Sequence, residues 1–534
     1  MTMRKYIFLM TFLAFLPSCS CSEEGKGPVT PGGKPEEPET PVEEVLPQIE
    51  VSRIAKTAEG KVYLEVDGKP FPLFGAQIRV DVFKNCDKLT DAQIEPYFQK
   101  AAQLNLNCVQ VPITWKGMEP SEGKYDFAWM DMILEYAVKY GLKVELLWFS
   151  TNMIGDSYTW FVPGYPLKNL DTRLLRKGTL EYDYLHNLYG YTYNAVFNHP
   201  DILKAETAAV TALFNHIRNR DAAHGETHPV ITCQLHNEID GLVRWRITDE
   251  KLNICKRDGT KLTEAEAWEM SLDAVDAVGK AVKNSPYKVV TRVNYTSCTS
   301  PGVFPQCTQA KGSDAFYREG VDIVSVDPYM SDVNSIASVV KAFTELKGNY
   351  PLIAENRGGY DTTPSLILTA AALGAGYDIY DLATSKFIHD NNGVPWGEEG
   401  VLNYDLMDRP YTPKVRSILK GLTEAAEDVA LTSKENFVAF NVNKDYPDDS
   451  RTLIVNTTGA SLTINSSNGA LGFVLDRGDN IVMYFTAPAT VVIENGSVEG
   501  GKKAFSLEGE KLTRVGFTSS KPLTSTTASC IGSN

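Results

Sequence analysis

Positive charge is scarce in this chain, which has 52 lysines and arginines against 67 aspartates and glutamates and a formal net charge of −15 over 534 residues. The excess of acid argues against nucleic acid or an anionic membrane surface as the main partner. Histidine is also rare, with seven residues, and no spacing of histidine and cysteine resembles a zinc site. We therefore expect a neutral or cationic partner and no metal or organic cofactor.

Cysteines are too few and too scattered for a disulfide framework. Nine are present, and setting aside Cys19 and Cys21 leaves seven, an odd number. Cys108 and Cys233 lie in apolar, strand-like runs and are predicted to be buried thiols. A loop rich in proline and serine holds Cys298 and Cys307, the only local pair close enough in sequence to suggest a bridge.

Residues 1–21 combine a basic start, a short apolar segment and a cysteine after small residues, and this pattern resembles a bacterial lipoprotein signal. The resemblance implies that Cys19, or else Cys21, is lipidated and becomes the mature N-terminus; an ordinary cleaved secretory peptide is the alternative. The segment Ser22-Glu23-Glu24 resembles the acidic tag of surface-exposed lipoproteins of the Bacteroides group. The expected location is the outer membrane, exposed to the cell surface or else facing the periplasm, with contact to the membrane only through the lipid.

Long apolar runs are missing elsewhere: no later segment reaches the roughly 18 apolar residues that cross a bilayer. Residues 22–49 are rich in proline and glutamate, lack aromatic side chains and are predicted to form a flexible tether. Residues 50–426 are expected to form one large domain that opens with a hairpin turned at Asp67 and Gly68. Residues 427–534, with short β-branched runs and glycine turns, are predicted to form a β-sandwich.

Strand-like and helix-like runs alternate in the large domain. Strands are expected at residues 73–78, 108–112, 143–149, 230–235, 288–293, 323–326, 352–354 and 377–380. Helices are expected at residues 91–103, 129–140, 202–219, 263–282, 333–346, 363–373 and 414–426. This order predicts a (β/α)8 TIM barrel. A doubly wound open sheet is the alternative, but it usually carries a glycine-rich phosphate turn after its first strand, and Gly75 is not part of one.

Two carboxylates stand at predicted strand ends. Glu238 follows the fourth strand and Glu355 ends the seventh, so the barrel would bring them to opposite sides of its mouth. A pair of facing carboxylates suits glycoside cleavage, in which one protonates the leaving oxygen and the other attacks the anomeric carbon. A strand-end glutamate taken alone is more often a solvated or loop-capping group, so the prediction depends on the pair.

The segment Asn237-Glu238 together with Glu355 resembles clan A retaining glycoside hydrolases. The resemblance implies that Glu238 is the general acid/base and Glu355 the nucleophile. It also implies that Asn237 binds the sugar 2-hydroxyl and that Tyr329, after the sixth strand, hydrogen-bonds the nucleophile.

The second-strand segment from Val109 to Phe127, with Trp115, a Glu-Pro pair and a Tyr-x-Phe, resembles family 42 and family 35 β-galactosidases. The resemblance extends over roughly residues 60–420. Two departures affect the sugar: Pro112 stands where the family has tyrosine, and Asn152 stands where family 35 has a galactose-binding glutamate. The resemblance therefore implies a retaining, exo-acting β-glycosidase of oligosaccharides or polysaccharides more than it implies one sugar. An endo-acting β-glycanase and a non-catalytic glycan-binding lipoprotein are the alternatives.

Further candidate sugar contacts lie near the strand ends. Indole rings can stack on pyranose faces, and polar side chains can bind hydroxyls. The candidates are Trp115, Trp148 and Trp396 for stacking, Asn152, Gln77 and Arg79 for hydroxyls, and His236, which either hydrogen-bonds the acid/base or fills a polar gap beneath it. Each tryptophan taken alone is more often a core residue. The sequence carries no signal for an oligomeric state.

Overall fold

The computed structural model describes most of the chain from residue 46 onward. The described residues are 46–151, 161–176, 186–187, 190–191, 195–243, 254–296, 315–346, 348–387, 399–441, 450–456, 460–467, 469–496 and 504–516. Among them no helix is long and apolar enough to cross a membrane. The lipid-anchor and tether predictions at residues 1–45, and the proposed bridge between Cys298 and Cys307, lie outside the described residues.

Eight parallel strands form one sheet that closes on itself. They are β1 (Phe74–Ala76), β2 (Cys108–Thr114), β3 (Lys143–Phe149), β4 (Val230–Leu235), β5 (Val290–Tyr295), β6 (Ile323–Val326), β7 (Leu352–Arg357) and β8 (Gly376–Tyr380). The first and second strands meet through a parallel bridge between Gln77 and Gln110. The (β/α)8 prediction is confirmed, and the open-sheet alternative is excluded.

Helices surround the sheet on the outside. They are α1 (Asp91–Gln103), α2 (Ala128–Tyr140), α3 (Pro200–Ala223), α4 (Glu264–Lys283), α5 (Val333–Thr344), α6 (Thr363–Ala372), α7 (Thr412–Glu424) and α8 (Ala426–Leu431). Their starts follow local chemistry: Thr263 and Glu266 form a reciprocal capping box at α4, and Pro200 stands in the first turn of α3. Shorter helical turns are Val80–Val82, Phe83–Asp87, Trp115–Met118, Leu170–Thr172 and Lys434–Asn436.

A hairpin covers the end of the barrel opposite the strand tips that carry Glu238 and Glu355. Its strands are Ser52–Lys56, Val62–Val66 and Lys69–Pro70, and Asp67 and Gly68 turn with positive φ, as predicted. The Ser52 hydroxyl donates to the carbonyl oxygen of Ile231 and accepts from the amide of Val290, which ties the hairpin to β4 and β5. Short pairs outside the barrel sheet are Ile49–Glu50 with Tyr287–Lys288, Leu175–Arg176 with Ile254–Cys255, and His186–Asn187 with Gly190–Tyr191.

The C-terminal region is a sandwich of two antiparallel four-stranded sheets, as predicted. Its strands are β9 (Phe437–Asn441), β10 (Ser450–Asn456), β11 (Ala460–Ser467), β12 (Leu471–Asp476), β13 (Asn480–Phe485), β14 (Ala489–Gly496), β15 (Ala504–Leu507) and β16 (Thr513–Gly516), in the orders β9-β12-β13-β16 and β10-β11-β14-β15. In the first sheet Val438 and Phe440 pack in the sandwich core, whereas Phe437 and Tyr484 belong to the barrel core. That sheet is therefore buried on both faces and docks the sandwich on the barrel.

Polar side chains fill the inside of the barrel. Gln110, Glu145, Gln234, Arg292 and Asp378 are each 0% exposed. Because side chains alternate along a strand, these polar residues point inward while their apolar neighbours pack against the helices. The sequence suggested apolar strands with polar tips, but the polar layer continues well below the tips.

Candidate active site

Glu355 lies on β7 and is held by two donors. The Tyr329 hydroxyl donates to its Oε2 over 2.6 Å, and the Gln77 amide donates to its Oε1 over 2.9 Å. The pairing of β7 with β8 shifts between Ile353 and Asn356, which is the signature of a bulge, and bulges commonly re-aim side chains beside active sites. Burial raises the pKa of Glu355, while the bonds from Tyr329 and Gln77 lower it.

Glu238 follows β4 on a backbone with φ of +50°, and His236 two residues earlier has φ of +62°. The backbone amide of Glu238 donates to Oδ1 of Asn294 over 2.8 Å, which anchors the turn to β5. After burial, the negative charges of Glu355 and Glu238 both raise the pKa of Asp327, so the two carboxylates lie close to the same side chain. The fourth- and seventh-strand glutamates thus converge on one site.

Asn237 is oriented by its neighbours. Its Oδ1 accepts from Gln234 Nε2 over 3.1 Å and from Asn294 Nδ2 over 3.0 Å. Its own amide nitrogen makes no hydrogen bond to the residues that the structure describes. The side chain therefore presents two N–H donors for a ligand.

His236 is fully buried, and its Nε2 lies 2.8 Å from Oε1 of Glu206 on α3. Trp148 donates its indole N–H to the same oxygen over 2.9 Å and is 1% exposed. The prediction that these two residues contact sugar is wrong for this structure, as is a bond from His236 to the acid/base. Trp148 alternates with the inward-pointing Glu145, so its ring points outward toward α3.

Trp115 is also a core residue. It is 0% exposed, and its indole N–H donates to Oε2 of Glu119 over 2.8 Å. Tyr165, from the long segment after β3, donates to the same carboxylate and packs edge-on against the indole. The predicted stacking role of Trp115 is therefore wrong, because no face of its ring reaches the site.

Arg79 and Gln77 lie at the tip of β1, but neither is an open rim group. Arg79 is 4% exposed and forms a two-bond ion pair with Asp81, with both distances 2.9 Å. Its positive charge also lowers the pKa of Glu355, which burial raises. Both residues thus act on Glu355 rather than presenting themselves as hydroxyl binders. Of the remaining candidates, Asn152, Trp396 and Cys19 lie outside the described residues.

Several site residues escaped the sequence analysis. Asn294 and Arg292, two apart on β5, point into the barrel, and Asp327 follows β6. Their signal was a polar residue at every second position of an otherwise apolar strand, which in a closed barrel marks an inward face. Glu399 is a fourth, only 7% exposed and paired with Arg357 over 3.3 Å, where burial and Asp381 raise its pKa to about 8.

Cys108, Glu145 and Asp378 form the one group of metal-ligand type among the described residues, with their donor atoms within 4.8 Å of one another. Gly75 lies close against this group, since a Cβ added there would lie 2.3 Å from Oδ1 of Asp378 and 2.9 Å from the Cys108 sulfur. Burial and the Glu145 carboxylate raise the pKa of Asp378 well above its usual range. The raised pKa favours the neutral acid form of Asp378, which is a poorer cation ligand than a carboxylate. Cys108 and Cys233 are buried free thiols, as predicted.

Residues 85–250 match the family model described as "Beta-galactosidase" (family 42 glycoside hydrolases), and residues 270–447 match one described as "Domain of unknown function (DUF4978)". The first match contains Asn237 and Glu238, and the second contains Glu355. The predicted resemblance to family 42 glycoside hydrolases is thereby confirmed. A comparison with curated proteins found no match.

Three solved structures are similar in part. The exo-β-1,4-mannosidase Op5Man5 from Opitutaceae bacterium strain TAV5 is 14% identical, covers 70% of this chain and has a TM-score of 0.48. The β-galactosidase from the psychrophilic Marinomonas ef1 is 12% identical over 67% of the chain (TM-score 0.45), and that from Bacillus circulans sp. alkalophilus is 15% identical over 68% (TM-score 0.47). The chain spans 63%, 60% and 58% of the lengths of these proteins.

Proposed function

We propose that this chain, part of which matches the β-galactosidase family model, is a retaining β-glycosidase that acts on oligosaccharides or polysaccharides of plant or host origin. We infer exo action resembling that of β-galactosidases. The observation that carries the proposal is the pairing of Glu355, held by Tyr329 and Gln77, with Glu238 across the same barrel mouth. Two carboxylates in one site are what double displacement requires.

In the first step Glu355 attacks the anomeric carbon while Glu238 donates a proton to the leaving oxygen. The bond from carbon to the leaving oxygen breaks, and an ester between Glu355 and the sugar forms. The hydrogen bonds from Tyr329 and Gln77, together with the charge of Arg79, favour the ionised form of Glu355 that this attack needs.

In the second step Glu238 takes a proton from water, the water oxygen attacks the anomeric carbon, and Glu355 leaves as a carboxylate. Esterification removes the negative charge of Glu355, so Glu238 ionises more readily in the step in which it must act as a base. Two inversions give net retention. The N–H donors of Asn237 are proposed to bind the sugar 2-hydroxyl.

The test combines two variants with a substrate screen. Glu355→Gln should abolish turnover of aryl β-glycosides, and Glu238→Ala should keep the first step on activated leaving groups and recover turnover with azide. Glu135→Gln, on the exposed face of α2, is the matched control that should change nothing. Full activity in Glu355→Gln, or no azide rescue in Glu238→Ala, would contradict the assigned roles.

Exo and endo action are separated by the products. We expect release of single sugars from aryl β-glycosides and oligosaccharide ends. A rapid fall in the viscosity of an intact β-glycan would instead favour an endo-acting β-glycanase. Binding of glycans without any turnover would favour the third alternative, a non-catalytic surface glycan-binding protein, although such a protein gains nothing from an oriented glutamate pair.

We also propose that the protein is an outer-membrane lipoprotein anchored through Cys19. The support is the sequence pattern of residues 1–21 and the acidic residues that follow. Labelled fatty acid should be incorporated into the wild type and not into Cys19→Ser. Protease treatment of intact cells would then distinguish surface exposure from a periplasm-facing position.

A further inference from the structure

Two chains of hydrogen bonds converge on Asn237 from opposite sides. On one side, Nη1 of Arg292 donates to Oε1 of Gln234 over 2.5 Å. The amide nitrogen of Gln234 then donates to the backbone oxygen of His236 over 2.9 Å and to Oδ1 of Asn237 over 3.1 Å. The oxygen of the Gln234 side chain therefore accepts a hydrogen bond from Arg292, and both of its N–H groups donate toward residues 236 and 237.

On the other side, the chain starts from a backbone amide. The N–H of Glu238 donates to Oδ1 of Asn294 over 2.8 Å. The amide nitrogen of Asn294 then donates to Oδ1 of Asn237 over 3.0 Å and to Oδ2 of Asp327 over 2.7 Å. Both hydrogens of that amide are thereby committed to acceptors.

The direction of both chains is fixed by their first members. A guanidinium and a backbone N–H can only donate, so the oxygen of each following amide must face them. The amide nitrogens of Gln234 and Asn294 then face Asn237. Turning the side-chain amide of Asn237 by 180° would place its own N–H groups against these two donors. A buried donor without an acceptor is costly enough to select one orientation.

All the members of these chains are buried. Arg292, Gln234, Asn294 and Asp327 are 0% exposed, and Asn237 is 9% exposed. Water therefore cannot readily replace a lost bond, and the orientation does not depend on the ligand. Within the described part of the chain, the Asn237 side-chain nitrogen has no protein partner, whereas its oxygen accepts two hydrogen bonds.

We propose that Gln234, Asn294 and Arg292 are positioning residues that hold the amide nitrogen of Asn237 toward the substrate. In this orientation the Asn237 side chain can donate hydrogen bonds to the sugar but cannot accept them. The enzyme should therefore demand a hydrogen-bond acceptor on the sugar position that Asn237 faces. This inference rests on the proposed function, under which that acceptor is the oxygen of the 2-hydroxyl.

The test compares enzyme variants on substrates with and without the 2-hydroxyl. The kcat/KM of the best aryl β-glycoside is compared with that of its 2-deoxy counterpart in the wild type, in Asn294→Asp and in Gln234→Leu. We expect the preference for the 2-hydroxyl to fall about tenfold in both variants, because an amide that is no longer locked binds the hydroxyl less well. The 2-deoxy substrate, which lacks the acceptor, should lose much less.

The matched control is Asn349→Asp. Asn349 is a buried asparagine outside the site whose Oδ1 accepts from the amide of Val324 and whose nitrogen donates to the carbonyl oxygens of Val324 and Phe343. It should lower stability without changing the ratio between the two substrates.

Equal losses on both substrates would overturn the inference while leaving the glycosidase assignment intact, and failure of both site variants to fold would assign these residues to stability alone. A folded wild type that cleaves neither substrate would overturn the proposed function, and the inference with it.

Discussion

The hydroxyl of Tyr329 lies 2.6 Å from Oε2 of Glu355, although the two residues are 26 positions apart and only Glu355 belongs to a strand. Tyr329 sits just after β6 with φ of +48°, and its ring contacts the guanidinium of Arg357 at 5.6 Å. Burial and the charge of Glu355 raise the pKa of the Tyr329 hydroxyl well above its usual range, so it remains a proton donor to the carboxylate.

Tyr329→Phe should lower kcat/KM by roughly 10- to 100-fold, the cost of losing a hydrogen bond to a charged group. Because that bond lowers the pKa of Glu355, its removal should also move the acidic limb of the pH profile of kcat/KM to higher pH. Tyr140→Phe is the matched control, since Tyr140 donates to Glu95 over 2.7 Å on the outer helices. An unshifted acidic limb in Tyr329→Phe would contradict the role.

Glu206→Gln should destabilise the protein most near neutral pH. Burial raises the pKa of Glu206, but His236, Ser150 and Trp148 lower it below its ordinary value on balance. Its stabilising contribution is thus present above the unfolded-state pKa, near 4.5, and is lost as the pH falls through the folded-state value. Urea unfolding from pH 7 to pH 3 should give a shallower loss in Glu206→Gln than in the wild type, and parallel curves would argue against it.

The ionisation of Glu399 should affect stability in the opposite sense to that of Glu206, and Glu399→Gln tests this. Burial, with the charge of Asp381, raises the pKa of Glu399 to about 8, so the folded protein binds this proton more tightly than the unfolded chain. Stability should therefore fall as the pH rises from about 4.5 to about 8. We expect the variant to lose less stability over that range, by an amount on the order of 1–3 kcal/mol, measured by urea unfolding at pH 5 and pH 9. Equal losses in both proteins would contradict the prediction.

Gly421→Ala tests the docking of the sandwich. Alanine in a helix is normally about 1 kcal/mol better than glycine, but here the added Cβ would lie 2.4 Å from the ring of Tyr484. Overpacking of that kind costs roughly 1–3 kcal/mol, so the net change should be destabilising. Thr423→Ala, two residues further along α7, is the control and should be nearly neutral. A more stable Gly421→Ala would mean that Tyr484 and its sheet can shift to accommodate the added methyl group at little cost.

The sequence predicted the barrel because each strand and helix carries its own local signal. The bounds of α1, β3, β4 and β6 agree with the prediction at both ends. The two glutamates were predicted for a related reason: strand number in a (β/α)8 barrel fixes position around the ring, so residues after strands four and seven must meet at one mouth.

The sequence placed Trp115, Trp148 and His236 at strand ends and determined no more than that. Whether a side chain there points into the mouth or toward the helices depends on the alternation along the strand and on bulges, and one residue of shift reverses the answer. The bonds to Glu206 hold Trp148 and His236 away from the mouth. Glu206 lies in the second turn of α3, where a lone glutamate looks like a surface residue.

What the sequence by itself determined was the class of fold and the meeting of Glu238 and Glu355 at one mouth of the barrel, because both follow from local patterns and strand order. Only the tertiary structure decided which groups hold that pair and how Asn237 is oriented. Those facts depend on hydrogen bonds between residues as far apart as Gln77 and Glu355, separated by 278 positions. No local pattern carries such information, because the partners become neighbours only when the barrel closes.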